Sequence, residues 1–241
     1  MDLIVPNWPA PKNIKAFAST RVGGVSEAPY QGLNLGSHVG DDLDRVVKNR
    51  HLLQQQAAMP SHPVWLNQTH STVVAEITSP TADIIDADGA YTQKAGVVCC
   101  AMTADCLPVL LTNTHGDQVA AVHAGWRGLA SGILELAVEK FDGEILAWLG
   151  PAIGPDAFEV GEDVLTAFTD RHPQAKQAFR PGNDPGKWWA NMAQLATLRL
   201  KLAGVGQVFD CGLCTYSLPE RFYSYRRDGV TGRQATFIWM E

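Results

Sequence analysis

Compact apolar segments dominate the middle of the chain. They are bounded by polar or glycine residues and lie at 97–103, 108–113, 118–125 and 144–150. Uninterrupted apolar runs of this length are typical of strands that are covered on both faces. Alternation of apolar and polar residues predicts another strand over 14–20, and the strand-like segments 222–228 and 235–240 close the chain.

Helical spacing predicts three helices, over 41–59, over 127–141 and within 184–204. Caps are expected at Asp41 or Asp42 for the first helix and at Asp184 for the third, with Pro185 in its first turn and Gly204 at its end. The inward positions would be Val46, Val47, Arg50, Leu53 and Ala57 in the first helix and Leu129, Ile133, Leu136 and Lys140 in the second.

Helices and strands are intermingled along the chain, and no repeat or linker divides it. This order predicts one layered α/β domain over residues 1–241, with a central mixed sheet flanked by helices. A long Gly-rich loop is expected at 21–36.

Composition narrows the classes of function. The 19 basic and 25 acidic residues give a net charge of −6, which argues against a nucleic-acid partner. The apolar runs are too short for a membrane span, and the first residues show no signal-peptide pattern. Five cysteines, an odd number, do not form a disulfide framework, so we expect a reducing, cytoplasmic location. No obligate protein partner is evident.

Three residues at the ends of separate predicted strands could share a metal ion. Cys106 follows one apolar run in "TADC", His123 ends another in "AAVHAG", and His70 follows a third in "WLNQTHS". One thiolate and two imidazoles suit zinc or copper. Three protein ligands would leave a fourth position open, as in catalytic zinc sites.

Each of these residues also has an ordinary structural explanation. His70 could be a satisfied histidine, Cys106 a small buried apolar residue, and His123 a core histidine bonded to a carbonyl. His38 is a possible further site residue. The pair Cys211 and Cys214 is a weak zinc signal, because no second pair accompanies it.

With these residues assembled, the chain resembles the YfiH group, also called laccase-domain or polyphenol-oxidase-like proteins. The match covers nearly the whole chain, and its most specific stretches are "NQTHS", "DADGAYT", "MTADCLPVLL", "AAVHAGWRG" and "FYSYRRDGVTGR". The resemblance implies a mixed α/β fold similar to cysteine-dependent toxin deamidases. It also implies phosphorolysis of adenosine, inosine, guanosine and methylthioadenosine, with adenosine deamination as a second reaction.

The resemblance places the metal ligands on His70, Cys106 and His123, with zinc as the metal and copper as a possible substitute. Asp105 and Cys106 are the expected catalytic residues: Asp105 would orient a ligand histidine or move a proton, or else cap the turn that follows. Arg21 and Arg127 are expected to meet phosphate, and Asn34 and Gln68 to contact the nucleoside.

Three alternative functions remain open at this point. The first is a copper-dependent polyphenol oxidase, although seven histidines without an H-x-H motif do not suit a multicopper enzyme. The second is a hydrolase with Cys106 as nucleophile and His123 as base. The third is an enzyme that edits cell-wall precursors.

Overall fold

The computed structural model describes all residues from 1 to 241. Its strands are β1 Leu3–Ile4, β2 Ile14–Ser19, β3 Leu66–Asn67, β4 Val74–Glu76, β5 Ile85–Asp86, β6 Gly89–Thr92, β7 Cys99–Thr103, β8 Leu107–Asn113, β9 Val119–Ala124, β10 Ile145–Leu149, β11 Glu159–Gly161, β12 Phe179–Pro181, β13 Lys187–Ala190, β14 Gln207–Asp210 and β15 Gln234–Met240. Its helices are α1 Leu43–Gln56, α2 Trp126–Ser131, α3 Ile133–Val138, α4 Glu162–Thr169, α5 Met192–Leu202 and α6 Tyr225–Asp228, with a 3₁₀ helix at Pro173–Ala178.

Two sheets packed face to face form the centre of the fold. One has the order β1-β2-β15-β7 and the other the order β14-β10-β8-β9-β6-β4. The first is antiparallel throughout, whereas the second also contains the parallel pairs β10–β14 and β4–β6. The mixed α/β class is thus confirmed, but two sheets take the place of the single central sheet that we expected.

Three apolar clusters hold the layers together. The largest lies between the six-stranded sheet and helices α2 to α5. A second fills the space between the two sheets, and a third lies on the outer face of the four-stranded sheet, where Leu53 of α1 packs. The strands β7, β8, β9 and β10 are buried along their whole length, as their continuous apolar sequences predict. None of the helices has both the length and the apolar character that crossing a membrane requires.

The predicted helix over 127–141 is divided into two. Gly132, with φ of +105°, ends α2 in the left-handed conformation and begins α3. Glycine adopts this conformation without the steric cost of a Cβ atom. The apolar residues keep helical spacing on both sides of Gly132, so the sequence pattern did not reveal the break between α2 and α3.

The predicted helix within 184–204 and the predicted strand over 222–228 were wrong in part. Residues Lys187–Ala190 form a strand, and the helix begins later, at Met192, with Asn191 as the cap that accepts a hydrogen bond from the amide of Gln194. Residues 225–228 form the short helix α6, which Ser224 caps. Asp184 and Pro185 have the residue types of a helix start, but the helix is capped by Asn191, seven residues after Asp184.

The inward face of α1 also differs from the expectation. Val47 is 64% exposed, while Asn49 is fully buried. The Asn49 side chain accepts a hydrogen bond from the amide of Val25 and donates to the carbonyl of Asn34. A polar residue on this face therefore holds the Gly-rich loop against the helix.

Candidate metal centre and its cavity

The three predicted ligands converge where the inner strands β8 and β9 of the six-stranded sheet begin and end. His70 lies in the loop after β3, Cys106 in the turn between β7 and β8, and His123 near the end of β9. Strands β8 and β9 pair with Leu107 opposite Ala124 and Pro108 opposite His123, and this register brings the turn of Cys106 to His123. The candidate ligand atoms of all three residues lie within 4.8 Å of one another, and Cys106 Sγ is 3.6 Å from His70 Nε2.

Gly125 leaves the space that the ligands occupy. A Cβ atom at this position would lie 2.5 Å from Cδ2 of His70 and 3.3 Å from Sγ of Cys106. The first distance is far below van der Waals contact, so any other residue would displace the His70 ring. The glycine in "HAGW" is therefore explained by the close approach of the ligand side chains.

Asp88 is the residue that orders the ligands. Its fully buried carboxylate accepts a 2.8 Å hydrogen bond from Nδ1 of His123. It also accepts hydrogen bonds from the amides of Thr69, His70 and Ser71 and from the Ser71 hydroxyl. These bonds hold His70 at a φ of +62°, a conformation that is unfavourable for a residue with a side chain. The bond to Nδ1 leaves Nε2 of His123 as the nitrogen available to a metal ion.

The metal-free site favours a charged thiolate–imidazolium pair. Burial raises the pKa of Cys106, but the charge of His123 and hydrogen bonds from both histidines outweigh it and lower the pKa to about 6. Burial lowers the pKa of His123, but Cys106 and Asp88 outweigh this and raise it to about 9. Burial also opposes ionisation of Asp88, yet hydrogen bonds from His123 and Ser71 hold its pKa well below the ordinary value.

The donor set fits a soft or borderline divalent metal ion. Cys106 is ready as a thiolate, the two imidazoles face it, and Asp88 supplies the carboxylate that metal-bound histidines ordinarily have behind them. His70 is exposed, so the centre faces solvent on one side. A metal held here would have three protein ligands and an accessible fourth position.

The open side of the centre faces a cavity of about 290 Å³. We call it the metal cavity, and its lining includes His38, Gln68, Thr103, Tyr225 and Arg233 besides the three ligands. Thr103 is 2% exposed and its hydroxyl has no hydrogen-bond partner. An unpaired buried hydroxyl costs about 1–3 kcal/mol.

Two basic side chains also line the metal cavity. Arg233 uses Nη1 to bond the carbonyls of Thr231 and Gly232, which leaves Nη2 and Nε without a protein partner. Burial and the charges of Arg233 and Arg50 lower the pKa of His38, so this histidine is neutral at pH 7. The cavity thus combines one fixed cation with a neutral imidazole.

Asp105, the predicted catalytic residue beside Cys106, does not contact the ligand histidines. One carboxylate oxygen accepts a hydrogen bond from the Thr215 hydroxyl and the other from the amide of Arg226, both at 2.7 Å. Its own carbonyl accepts from the amide of Ile153, and its φ is +92°. Asp105 therefore ties the Cys106 turn to the start of α6 and places Tyr225 at the cavity rim, while Asp88 takes the orienting role that we expected of Asp105.

Of the two predicted nucleoside contacts, only Gln68 lines the metal cavity. Its side-chain amide bonds both the carbonyl and the amide of Met102 and so braces β7. Asn34 is fully buried and bonds Gly36, Asp41 and the amide of Arg233. It therefore positions the backbone of Arg233.

The two predicted phosphate contacts lie outside the metal cavity. Arg21 donates to the carbonyls of Pro219 and Gln31 and lines a different, shallow cavity. Arg127 is exposed, and its guanidinium lies 4.4 Å from the centre of the Trp126 ring. Neither side chain is brought to the three ligands, whereas Arg233 is.

The remaining cysteines do not join the centre. Cys99 and Cys100 are buried in β7, and all five cysteines are free thiols. Cys214 lines another cavity. The candidate metal-binding group is the single set of His70, Cys106 and His123.

Comparisons with known proteins give consistent results. The sequence model of the family described as "multi-copper polyphenol oxidoreductase laccase" matches residues 15–241. Purine nucleoside phosphorylase YfiH of Escherichia coli (strain K12) is 51% identical over 241 residues, which cover 99% of this chain and 98% of that protein. A protein of Haemophilus influenzae named purine nucleoside phosphorylase is 49% identical over 245 residues, with complete coverage of both chains.

Solved structures share the whole fold. Protein NMB0706 of Neisseria meningitidis is 46% identical, with a TM-score of 0.93 and complete coverage of both chains. YlmD of Geobacillus stearothermophilus is 30% identical, with a TM-score of 0.94 over 100% of this chain and 97% of that one. The likeness to toxin deamidases stays a prediction. The expected resemblance is confirmed, and the chain belongs to the laccase-like family that includes YfiH.

Proposed function

We propose that this protein is a zinc-dependent purine nucleoside phosphorylase that cleaves adenosine, inosine, guanosine and methylthioadenosine, with adenosine deamination as a second activity. Relatives that are about half identical over their full length bear the name purine nucleoside phosphorylase. The observation that carries the proposal is the geometry of the metal cavity. An accessible three-ligand centre shares one cavity with a partly free arginine and an unpaired buried hydroxyl.

The metal ion would be held by His70, Cys106 and His123. When bound, it supplies Lewis-acid chemistry toward an oxygen of the substrate. Asp88 keeps the His123 imidazole in the orientation and tautomer that binding requires, and it holds the backbone of His70. Asp105 contributes indirectly, because its bond to the amide of Arg226 places Tyr225 at the rim.

Phosphorolysis replaces the bond between C1′ of the ribose and N9 of the purine with a bond between C1′ and a phosphate oxygen. Positive charge develops on the ribose and negative charge on the departing base, so fixed charges and positioning supply most of the catalysis. Arg233 offers the planar fork that suits a phosphate. His38, neutral at pH 7, can donate its N–H to the departing base.

Adenosine deamination would use the same cavity. Water would attack C6 of a purine bound with its base toward the centre, and the amino group would leave as ammonia. The two reactions therefore share the residues that hold the nucleoside, and variants of the metal ligands should lose both.

Two observations favour specific alternatives. A set of one thiolate and two imidazoles also suits copper, and the family description names a copper oxidoreductase. The lowered pKa of Cys106 beside His123 also matches a Cys–His hydrolase.

A multicopper centre would need further ligand clusters, and the chain has one. A hydrolase would not need the metal at all. Cell-wall editing and a cytoplasmic location stay predictions.

The test is a product assay on protein of known metal content. Adenosine, inosine, guanosine and methylthioadenosine are incubated with and without phosphate, and free base, ribose 1-phosphate, ribose and inosine are separated by chromatography. The proposal expects base and the sugar 1-phosphate only when phosphate is present. Base release at the same rate without phosphate identifies a hydrolase, and no base from any nucleoside refutes the phosphorylase assignment.

A further inference from the structure

A second chamber lies next to the metal cavity. It has a volume of about 210 Å³ and shares His38 and Met102 with the metal cavity. We call it the side chamber, and its other useful lining residues are Trp65, Asn67, Ile84 and Asp86. The three other sizeable cavities share no lining residue with the metal cavity. The side chamber is therefore the neighbouring space for a ligand that is too long for the metal cavity.

The polar end of the side chamber is a paired amide and carboxylate. Strands β3 and β5 place Asn67 directly beside Asp86, and Nδ2 of Asn67 donates to Oδ1 of Asp86 at 2.7 Å. This bond orients the carboxylate and leaves Oδ2 of Asp86 without a protein partner. The chamber thus presents acceptor atoms at a fixed place.

The rest of the chamber suits a flat, uncharged ring. Ile84 is 62% exposed and Met102 forms the boundary with the metal cavity, so both offer apolar contact. The one cation nearby, Arg50, lies 3.7 Å above the Trp65 ring and donates twice to the carbonyl of Leu35.

We propose that the side chamber binds the purine base of the nucleoside and that Asp86 reads its edge, accepting the N1–H of 6-oxopurines. This inference rests on the proposed phosphorolysis and names its preferred substrates as inosine and guanosine. Phosphate held by Arg233 attacks C1′ on one side, and the base leaves from the other. The base therefore extends past His38, through the boundary that the two chambers share.

The donor pattern of the base decides the preference. Inosine and guanosine carry an N1–H, and guanosine adds a 2-amino group, so both donate to a carboxylate. Adenosine presents a lone pair at N1, which faces the lone pairs of Asp86 unfavourably. A site built to accept a particular N–H discriminates strongly against a ligand that lacks it.

The test compares inosine, guanosine and adenosine in the Asp86→Asn variant of the zinc-loaded enzyme. An asparagine can pair with adenine by donating to N1 and accepting from the 6-amino group. We expect KM for inosine and guanosine to rise about tenfold while KM for adenosine falls or holds, with kcat unchanged for all three. The variant Asp86→Ser should lose the 6-oxopurine preference without any gain for adenosine.

Asp83→Asn is the matched control, because Asp83 is an exposed carboxylate that lines neither chamber. It should leave all three KM values unchanged. The inference is overturned if the wild-type enzyme is active but Asp86→Asn leaves the ratio of the KM values as it was, or weakens all three nucleosides equally. If the wild-type enzyme releases no base, the proposed function itself fails, which is a distinguishable result.

Discussion

Two buried carboxylates near Cys106, those of Asp88 and Asp105, have different roles. Asp88 accepts five hydrogen bonds, four from the loop that carries His70 and one from His123. Asp105 accepts two, from Thr215 and Arg226, which belong to the C-terminal part of the chain. The neighbour of Cys106 in sequence thus fastens the turn, whereas a residue from another strand orders the ligands.

The largest expected effect comes from Asp88→Asn. The change puts an NH2 group among donors and removes the charge behind His123, so we expect zinc affinity to fall about 10–100-fold. Competition with a chromogenic chelator measures this. Asp105→Asn is the matched control and should keep the wild-type affinity. Equal losses in the two variants would remove the distinction between the carboxylates.

Asp105→Asn should instead reduce stability. One of the two donors, the Thr215 hydroxyl or the Arg226 amide, would lose its acceptor, which costs about 1–3 kcal/mol of unfolding free energy. Urea unfolding of the zinc-loaded protein measures the loss. Stability equal to the wild type, together with lost zinc, would assign Asp105 to the metal centre after all.

The unfolding free energy of the metal-free protein should depend on pH more strongly in the wild type than in Asp88→Asn. Because its pKa is lower in the folded than in the unfolded chain, ionised Asp88 stabilises the fold above about pH 4. This contribution fades as the pH falls toward the lowered folded-state pKa. Between pH 6 and pH 3 the wild type should therefore lose more unfolding free energy than Asp88→Asn. Parallel losses in urea titrations at the two pH values would contradict the assignment.

Ser71→Ala should have the smallest effect. It removes the hydroxyl bond to Asp88 but leaves the amide of Ser71 and the three other donors in place. We expect a loss of about 1 kcal/mol in stability and less than a tenfold change in zinc affinity. A loss of zinc as large as that of Asp88→Asn would mean that the hydroxyl, not the whole set of donors, fixes the carboxylate.

The sequence predicted the core strands from a local signal, whereas the grouping of His70, Cys106 and His123 was predicted firmly only through the family resemblance. Uninterrupted apolar runs mark β7 to β10, and polar residues at their ends mark the centre. The helix break at Gly132 and the strand at Lys187–Ala190 left no such signal, since their periodicity was compatible with a helix. The packing of two sheets face to face could not be read from the order of elements alone.

The residues around the ligands were predicted less well, because their roles depend on distant partners. "DADG" contains two aspartates, and only the fold shows that Asp88 faces His123 while Asp86 lines the side chamber. Arg233 comes from the far end of the chain and was missed, although it lies within the stretch that resembles the family. Arg21 drew attention through its neighbouring glycines, but its guanidinium is bonded to backbone carbonyls.

The most direct test of zinc-dependent phosphorolysis is a zinc titration of the metal-free protein. Inosine and phosphate are present, and the formation of ribose 1-phosphate is followed. The rate should rise in proportion to added zinc and level off at about one ion per chain, as expected for a single three-ligand centre. Cys106→Ala should show no rise, whereas Cys211→Ser should follow the wild type. Full activity before any zinc is added, or an unchanged titration in Cys106→Ala, would contradict a zinc-dependent reaction at this centre.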